Sequence, residues 1–170
     1  MKILVVTQYF YPENLRINDL CFSLGDMGHK VTVLTGKPNY PGGDFYKGYG
    51  WFNKKTENIN GLKVYRSNLI PRGNSNLLRL FFNYVSFVIL GSIKLFFIRE
   101  KFDKIFVYAP SPITVGYIGI LASFLYKAKA FLWVHDLWPE SLKAAGKINN
   151  KLILSLVNLM TKSIYVFYET

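Results

Sequence analysis

Cysteine is almost missing from this chain: Cys21 is the single thiol among 170 residues, so no intrachain disulfide can form. It stands among the apolar residues of an expected helix, where a lone thiol behaves as a small core side chain. Acidic residues are also scarce, ten against 21 Lys and Arg, which leaves a net charge of +11. Glycine is absent from the first strand-to-helix turn, Thr7 to Glu13. A dinucleotide-binding crossover needs G-x-G-x-x-G there, so that a pyrophosphate can approach the backbone. No G-x-x-x-x-G-K-[ST] loop occurs anywhere either. Hydride transfer and nucleoside-triphosphate hydrolysis are therefore poor readings. The first apolar run, Ile3 to Val6, is too short for a secretory signal, so a cytoplasmic protein is the expectation.

What is present is apolar and aromatic. Hydrophobic residues make up 51% and aromatic residues 17%, enough to argue against disorder and for one domain over 1–170 with a substantial core. The positive charge is concentrated. Residues 51–104 hold ten basic and three acidic side chains, a surplus of +7 in the middle third. Such a field attracts lipid head groups, nucleic acid or a phosphorylated substrate, and charge alone does not choose among them.

Local patterns give an alternation of strands and helices. Lys2 to Thr7 reads as a strand buried on both faces, because it has no polar alternation. Ile17, Leu20, Cys21, Leu24 and Met27 recur at helical spacing, and Gly28 stops that helix. His29 to Thr35 is a second strand, and a crossover of this length makes a parallel pair. A long loop rich in glycine, proline and aromatics follows over 36–53, either functional or simply pinned by its rings. Leu62 to Ser67 and Lys104 to Tyr108 are further strands, and Thr114 to Lys127 is a helix. Asn149 to Ser163 is the last helix, and Ile164 to Tyr168 reads as the start of another strand. The expected class is α/β: a Rossmann-like open parallel sheet with helices on both faces.

Two stretches stand out. In Trp133-Val134-His135-Asp136-Leu137-Trp138-Pro139-Glu140-Ser141, a histidine, two carboxylates and two indoles meet where a buried strand, Ala130 to Leu132, gives way to a helix opened by Pro139. Ligands of open α/β sheets bind at that edge, although His135 and Asp136 would equally serve to bond the turn itself. Leu77 to Phe97 confines its polar residues, Arg79, Asn83, Ser86 and Lys94, to one narrow helical stripe. The rest is apolar, wider than the face of an ordinary surface helix. It is either buried between sheet and helix or lies in the plane of a membrane, flanked by Arg72, Arg79, Arg99, Lys101 and Lys104.

Five motifs in order carry a resemblance. Thr7-Gln8-Tyr9-Phe10-Tyr11-Pro12-Glu13-Asn14, Gly28 to Gly36, Pro38-Asn39-Tyr40-Pro41, Ala109-Pro110-Ser111-Pro112 and Val134 to Ser141 together resemble bacterial family 4 glycosyltransferases. The colanic-acid and O-antigen branch is the most similar. The resemblance implies the N-terminal, acceptor-side half of a GT-B fold, with the C-terminal donor-binding domain absent from this chain.

It further implies a retaining transfer, without metal or other cofactor, from a nucleotide-sugar to a polyprenyl-diphosphate-linked saccharide at the inner face of the cytoplasmic membrane. The catalytic pair would be His135, near the donor sugar, with Asp136 orienting its ring. Asn14, Arg16, Asn39, Tyr40 and Ser111 would contact substrate from strand-end loops, and Glu140 would be a ligand or a helix cap. Asn14-Leu15 stand where relatives carry phosphate-binding glycines, and no glutamate pair seven residues apart matches the family's donor site. Donor binding is then expected only with a C-terminal domain or a partner chain. The final Val166 to Thr170 departs from the family's continuation, as a shortened chain would. The alternatives are a split-enzyme subunit or a non-catalytic membrane- or partner-binding module. A nucleic-acid binder rests on charge alone, without any recognition motif.

Overall fold

The computed structural model describes residues 1–74, 76–144 and 150–168. Strands β1 (Lys2–Thr7) and β2 (Lys30–Gly36) flank helix α1 (Arg16–Asp26), and Gly28 closes that crossover at a φ of 81° that an L side chain rarely adopts. Next come β3 (Thr56–Ile59) and β4 (Leu62–Ser67), then helix α2 (Leu77–Leu95) and strand β5 (Lys104–Ala109). Helix α3 (Val115–Tyr126), strand β6 (Lys129–Val134), the short α4 (Glu140–Ala144) and α5 (Lys151–Tyr168) complete the order. The six strands lie in the order β3-β4-β2-β1-β5-β6. Every neighbouring pair is parallel except β3 with β4.

The α/β class is therefore as the sequence indicates. β3 is the element that patterning misses. It is a four-residue edge strand, joined to β4 by a two-residue Asn60-Gly61 turn with both φ values positive, 49° and 81°. β6 is not a buried strand. It is the other edge, with Phe131 and Trp133 44% and 38% exposed. Ile164 to Tyr168 is not a strand either but the last turn of α5. Thr161 and Ile164 continue its buried face, and the Tyr168 hydroxyl donates to the Gly116 carbonyl at 2.8 Å. Asn149, where the sequence places the start of that helix, lies outside the described residues. Asn150 caps it by accepting from the Leu152 and Ile153 N–H groups.

A core lies on each face of the sheet. On one face Ile3, Val5, Val31, Val33 and Val64 pack with Ile17 and Cys21 of α1. Burial pushes the Cys21 thiol up to about 12, which leaves it inert. On the other face Leu4, Val6, Leu34, Ile105 and Val107 pack with Phe87 and Leu95 of α2 and Ile118 and Ala122 of α3.

Helix α2 is built inside out. Asn83 of its polar stripe is fully buried, together with Leu80, Phe87, Gly91 and Leu95. The Asn83 amide donates to the Ile70 carbonyl at 2.6 Å, and its oxygen accepts from Gln8 at 2.7 Å. Ser86 accepts from the Ile70 N–H at 2.9 Å. The outward face carries Leu78, Phe81, Phe82, Ile89, Ile93, Phe96 and Phe97, each about half exposed or more. By length and composition this helix would suffice to cross a membrane, but its polar grip on the strand-end loops fixes it on the domain.

Gly119 of α3 sets how closely that helix approaches β5, since an added Cβ would overlap the Val107 side chain and the Tyr168 hydroxyl. Gly119→Ala should gain helix propensity yet lower unfolding stability by about 1–3 kcal/mol, because overpacking outweighs that gain. Urea unfolding of the variant measures the sign.

Candidate functional site at the carboxyl ends of the strands

Parallel pairing puts the ends of β1, β2, β4, β5 and β6 on one edge, so the loops after Thr7, Gly36, Ser67, Ala109 and Val134 share it. That edge carries Asn14, Arg16, Asn39, Tyr40, Ser111, His135 and Asp136. The residue that joins the first two loops is Glu13, which the sequence reading passes over. Its Oε1 accepts from the N–H groups of Asn39 and Tyr40 at 2.9 and 2.8 Å, and its Oε2 from Phe10 N–H at 3.1 Å. The residue is fully buried, and burial pushes its pKa up to about 7 against the pull of those three donors and the Arg66 charge.

Asn39 is fully buried as well, and its polar atoms are used internally. Its amide donates to the Lys37 carbonyl at 2.9 Å, while its oxygen accepts from Arg72 N–H and from Asn83. Asn39 therefore shapes the loop that presents Tyr40, instead of reaching a substrate itself. Further contacts of this kind run along the 36–53 loop. Tyr46 donates to the Tyr40 carbonyl at 2.6 Å, Tyr49 to Glu57 at 3.1 Å, and Phe45 meets Trp51 edge-on.

Beyond this hub the edge divides. On the α1 side, His135 follows Trp133 along the same face of β6. Its ring lies 4.8 Å from both Tyr108 and Trp133, measured between centroids. Burial raises the Tyr108 pKa and the nearby Arg16 charge lowers it, so Arg16 belongs to this group. On the α2 side, Arg72 donates from Nη1 to the Tyr9 hydroxyl at 2.7 Å and lies over the Tyr40 ring at 5.1 Å. Tyr84 stands beside them. Burial raises its pKa, and the Arg72 charge and hydrogen bonding with Ser111 and Tyr9 pull it back. Trp138 packs on Tyr84 at 6.3 Å, and Asp136 adds a negative charge there.

The expected His135–Asp136 couple is thus not formed. Successive residues at a strand end point to opposite faces, so the imidazole joins Tyr108 and Trp133 while the carboxylate turns toward Tyr84. Among the described residues no hydrogen bond links the two side chains. Glu140 stands apart as the first residue of α4, exposed in a groove that α5 completes with Lys151, Leu154 and Asn158. Asn14 is exposed just before α1. Tyr9, Arg72, Tyr84 and Trp138 are the edge residues that sequence reasoning leaves out. Tyr9 and Trp138 stand inside two of the strand-end motifs, whereas Arg72 and Tyr84 belong to none. Among the described residues no group of three or more His, Cys, Asp or Glu could hold a metal ion.

No protein-family model matches this chain, and no curated protein matches it. Among solved structures it is similar to the catalytic domain of starch synthase IV from Arabidopsis thaliana, solved with ADP and acarbose bound. The TM-score is 0.53 at 13% identity, over 80% of this chain and 34% of that one. The chain thus spans about a third of that structure's length. Similarity at this identity is one of fold, the Rossmann-like α/β arrangement of a glycosyltransferase domain.

Glu13 makes stability depend on pH. Its carboxyl holds a proton in the folded state up to about pH 7, whereas an unfolded glutamate loses it near 4.5. The folded state binds the extra proton in that window, so stability falls as pH rises through it, by about 3 kcal/mol from this group. Urea unfolding from pH 4.5 to 8 should show this slope in the wild type and a flatter one in Glu13→Gln.

Proposed function

We propose that this chain is the acceptor-side domain of a glycosyltransferase that moves a sugar from a nucleotide-sugar to a lipid-linked saccharide, as in surface polysaccharide synthesis by the family 4 branch. The observation that carries the proposal is the rim itself. Tyr40, Tyr84, Trp133 and Trp138 give ring faces for sugar stacking, and Arg16, Arg72, Ser111, His135 and Asp136 give polar groups beside them. All lie at the strand ends of a fold that a glycosyltransferase domain shares. Carbohydrate sites need both: flat apolar faces for the C–H side of a sugar and convergent donors and acceptors for its hydroxyls.

In this reading His135, exposed at the edge of β6, meets the donor sugar and stabilises charge developing on its ring through a preorganised dipole. Its orientation comes from Tyr108 and Trp133. Donor phosphates and nucleotide are held by a second domain or a partner chain, because no glycine-rich loop or glutamate pair here offers to hold them. Catalysis of this kind depends on holding donor and acceptor together in a closed cleft. The chain alone should therefore show no turnover and only weak heat with uridine- or guanosine-diphosphate sugars in calorimetry. Tight binding of either, or transfer without a partner, would place the donor site in this domain and sink the assignment.

The outward face of α2 supports a membrane role. Phe81, Phe82, Phe96 and Phe97 are each about half exposed or more, and the groove beside Ile93 and Phe97 carries Lys55 and Lys94. An apolar face with basic neighbours suits the interface of an anionic bilayer, where a lipid-linked acceptor resides. Vesicles containing phosphatidylglycerol should retain the chain at low salt and release it as salt rises, since surface attraction is screened. Phe81→Ser with Phe96→Ser should abolish retention without loss of folding. Equal retention on neutral vesicles, or by the double variant, would rule this contact out.

A further inference from the structure

We infer that Arg72 is the anchor of an anion site on this rim, built for a phosphate or diphosphate group. The inference deepens the acceptor reading above and rests on it for the identity of the ligand, though not for the site. The contrast with Arg66 carries it. Arg66 is buried and fully engaged: its Nε meets Glu57 at 2.7 Å, and its other nitrogens donate to the carbonyls of Gly36 and Tyr11. Arg72 is partly buried, and among the described residues no carboxylate pairs with it. Its Nη1 donates to Tyr9, and its Nε is buried without a hydrogen-bond partner among the described residues. A buried donor left in this state costs free energy unless a ligand takes it up.

The surroundings suit an anion. The rings of Tyr40 and Tyr9 lie 5.1 and 5.8 Å from the guanidinium carbon and hold its plane, so little rotamer freedom remains to be lost on binding. Trp138 places a second buried donor without a partner, its indole Nε1, on the same side through its contact with Tyr84. The Tyr84 hydroxyl feels the Arg72 charge and hydrogen-bonds with Ser111. Two carboxyl groups lie within electrostatic reach of these rings, Glu13 of Tyr9 and Asp136 of Tyr84. Glu13 is engaged by three backbone N–H groups, and Asp136 stands on the Tyr84 side, where a sugar hydroxyl beyond the phosphate would meet it. A planar guanidinium with its Nε–H still unpartnered matches phosphate oxygens.

The test is calorimetry on the 170-residue chain at physiological salt, with pyrophosphate, farnesyl diphosphate and uridine diphosphate as probes. Pyrophosphate should bind, and Arg72→Gln should weaken it about 10- to 100-fold, the worth of charge-assisted hydrogen bonds. Arg79→Gln, at an exposed arginine in the first turn of α2, should change little, which separates a site from the general positive field. Trp138→Phe should weaken binding while leaving the melting temperature near that of the wild type. A purely bracing role for Arg72 would move the melting temperature and leave no phosphate affinity to lose. Should Arg72→Gln fail to fold, Arg72→Lys and Trp138→Phe carry the test, and wild-type affinity in both would overturn the site. Failure of all three probes on the wild type would overturn it too, while leaving the glycosyltransferase reading standing on the fold. Farnesyl diphosphate binding more tightly than uridine diphosphate supports the acceptor assignment. The reverse order keeps the anion site but overturns that assignment.

Discussion

Two loops that leave neighbouring strands repel one another's backbone dipoles unless something accepts their N–H groups, and here the Glu13 carboxylate does so. It sits at the end of the β1 loop and takes N–H groups from its own loop and from the β2 loop. Asn39 extends the joint to Arg72 and Asn83, and Asn83 closes it onto Gln8. The Tyr40 loop, the backbone at Arg72 and the α2 residue Asn83 are positioned through this buried network. Such a network is stable only when its members are satisfied together, which is why one carboxylate has such reach.

The network also explains the form of α2. A helix that must send Asn83 and Ser86 inward to bond the loops has less of its circumference left for inward apolar groups. Phe87, Gly91 and Leu95 fill what remains, and Gly91 allows Ile118 of α3 to come close. The surplus of phenylalanine and leucine then faces outward. An exposed apolar surface of this size is not a by-product that folding alone tolerates well, and such surfaces mark interaction sites. The inward polar stripe and the outward apolar face are one constraint seen from two sides.

Most of the fold was legible because its strands and helices carry strong patterns: Ile3 to Val6 is a continuous apolar run, Val31, Val33 and Leu34 make β2 strand-like, and α1 repeats at 3.6. What was not legible follows from the same logic. β3, Thr-Glu-Asn-Ile, has no apolar pattern because it is an edge strand stabilised by its hairpin turn. Ile164 to Tyr168 has β-branched and aromatic residues that favour a strand, yet packing of Ile164 against Gly116 overrides propensity. For the site, motif position at strand ends located the rim, since that depends only on chain order. Side-chain direction did not follow from it. Asn39 looked available and is buried, and Glu13 looked incidental and is central. Arg72 carried no motif and, unlike Arg66, pairs with no carboxylate among the described residues, while its Nε is buried.

The run from Trp133 to Trp138 shows why a strand-end motif can serve two purposes at once. Alternation sends Trp133 and His135 to the α1 face and Asp136 and Trp138 toward α2. A single short segment therefore contributes one aromatic and one ionisable side chain to each half of the rim. The His135 half is open, formed on an edge strand with Leu137 63% exposed beside it. The Asp136 half is enclosed by Tyr84, Ser111 and the network behind them. An open half suits a ligand brought by another body, and an enclosed half suits one held by this domain alone. That asymmetry follows from β6 being the edge strand of the described sheet, beyond Ile3, Val5 and Val31, which α1 packs against.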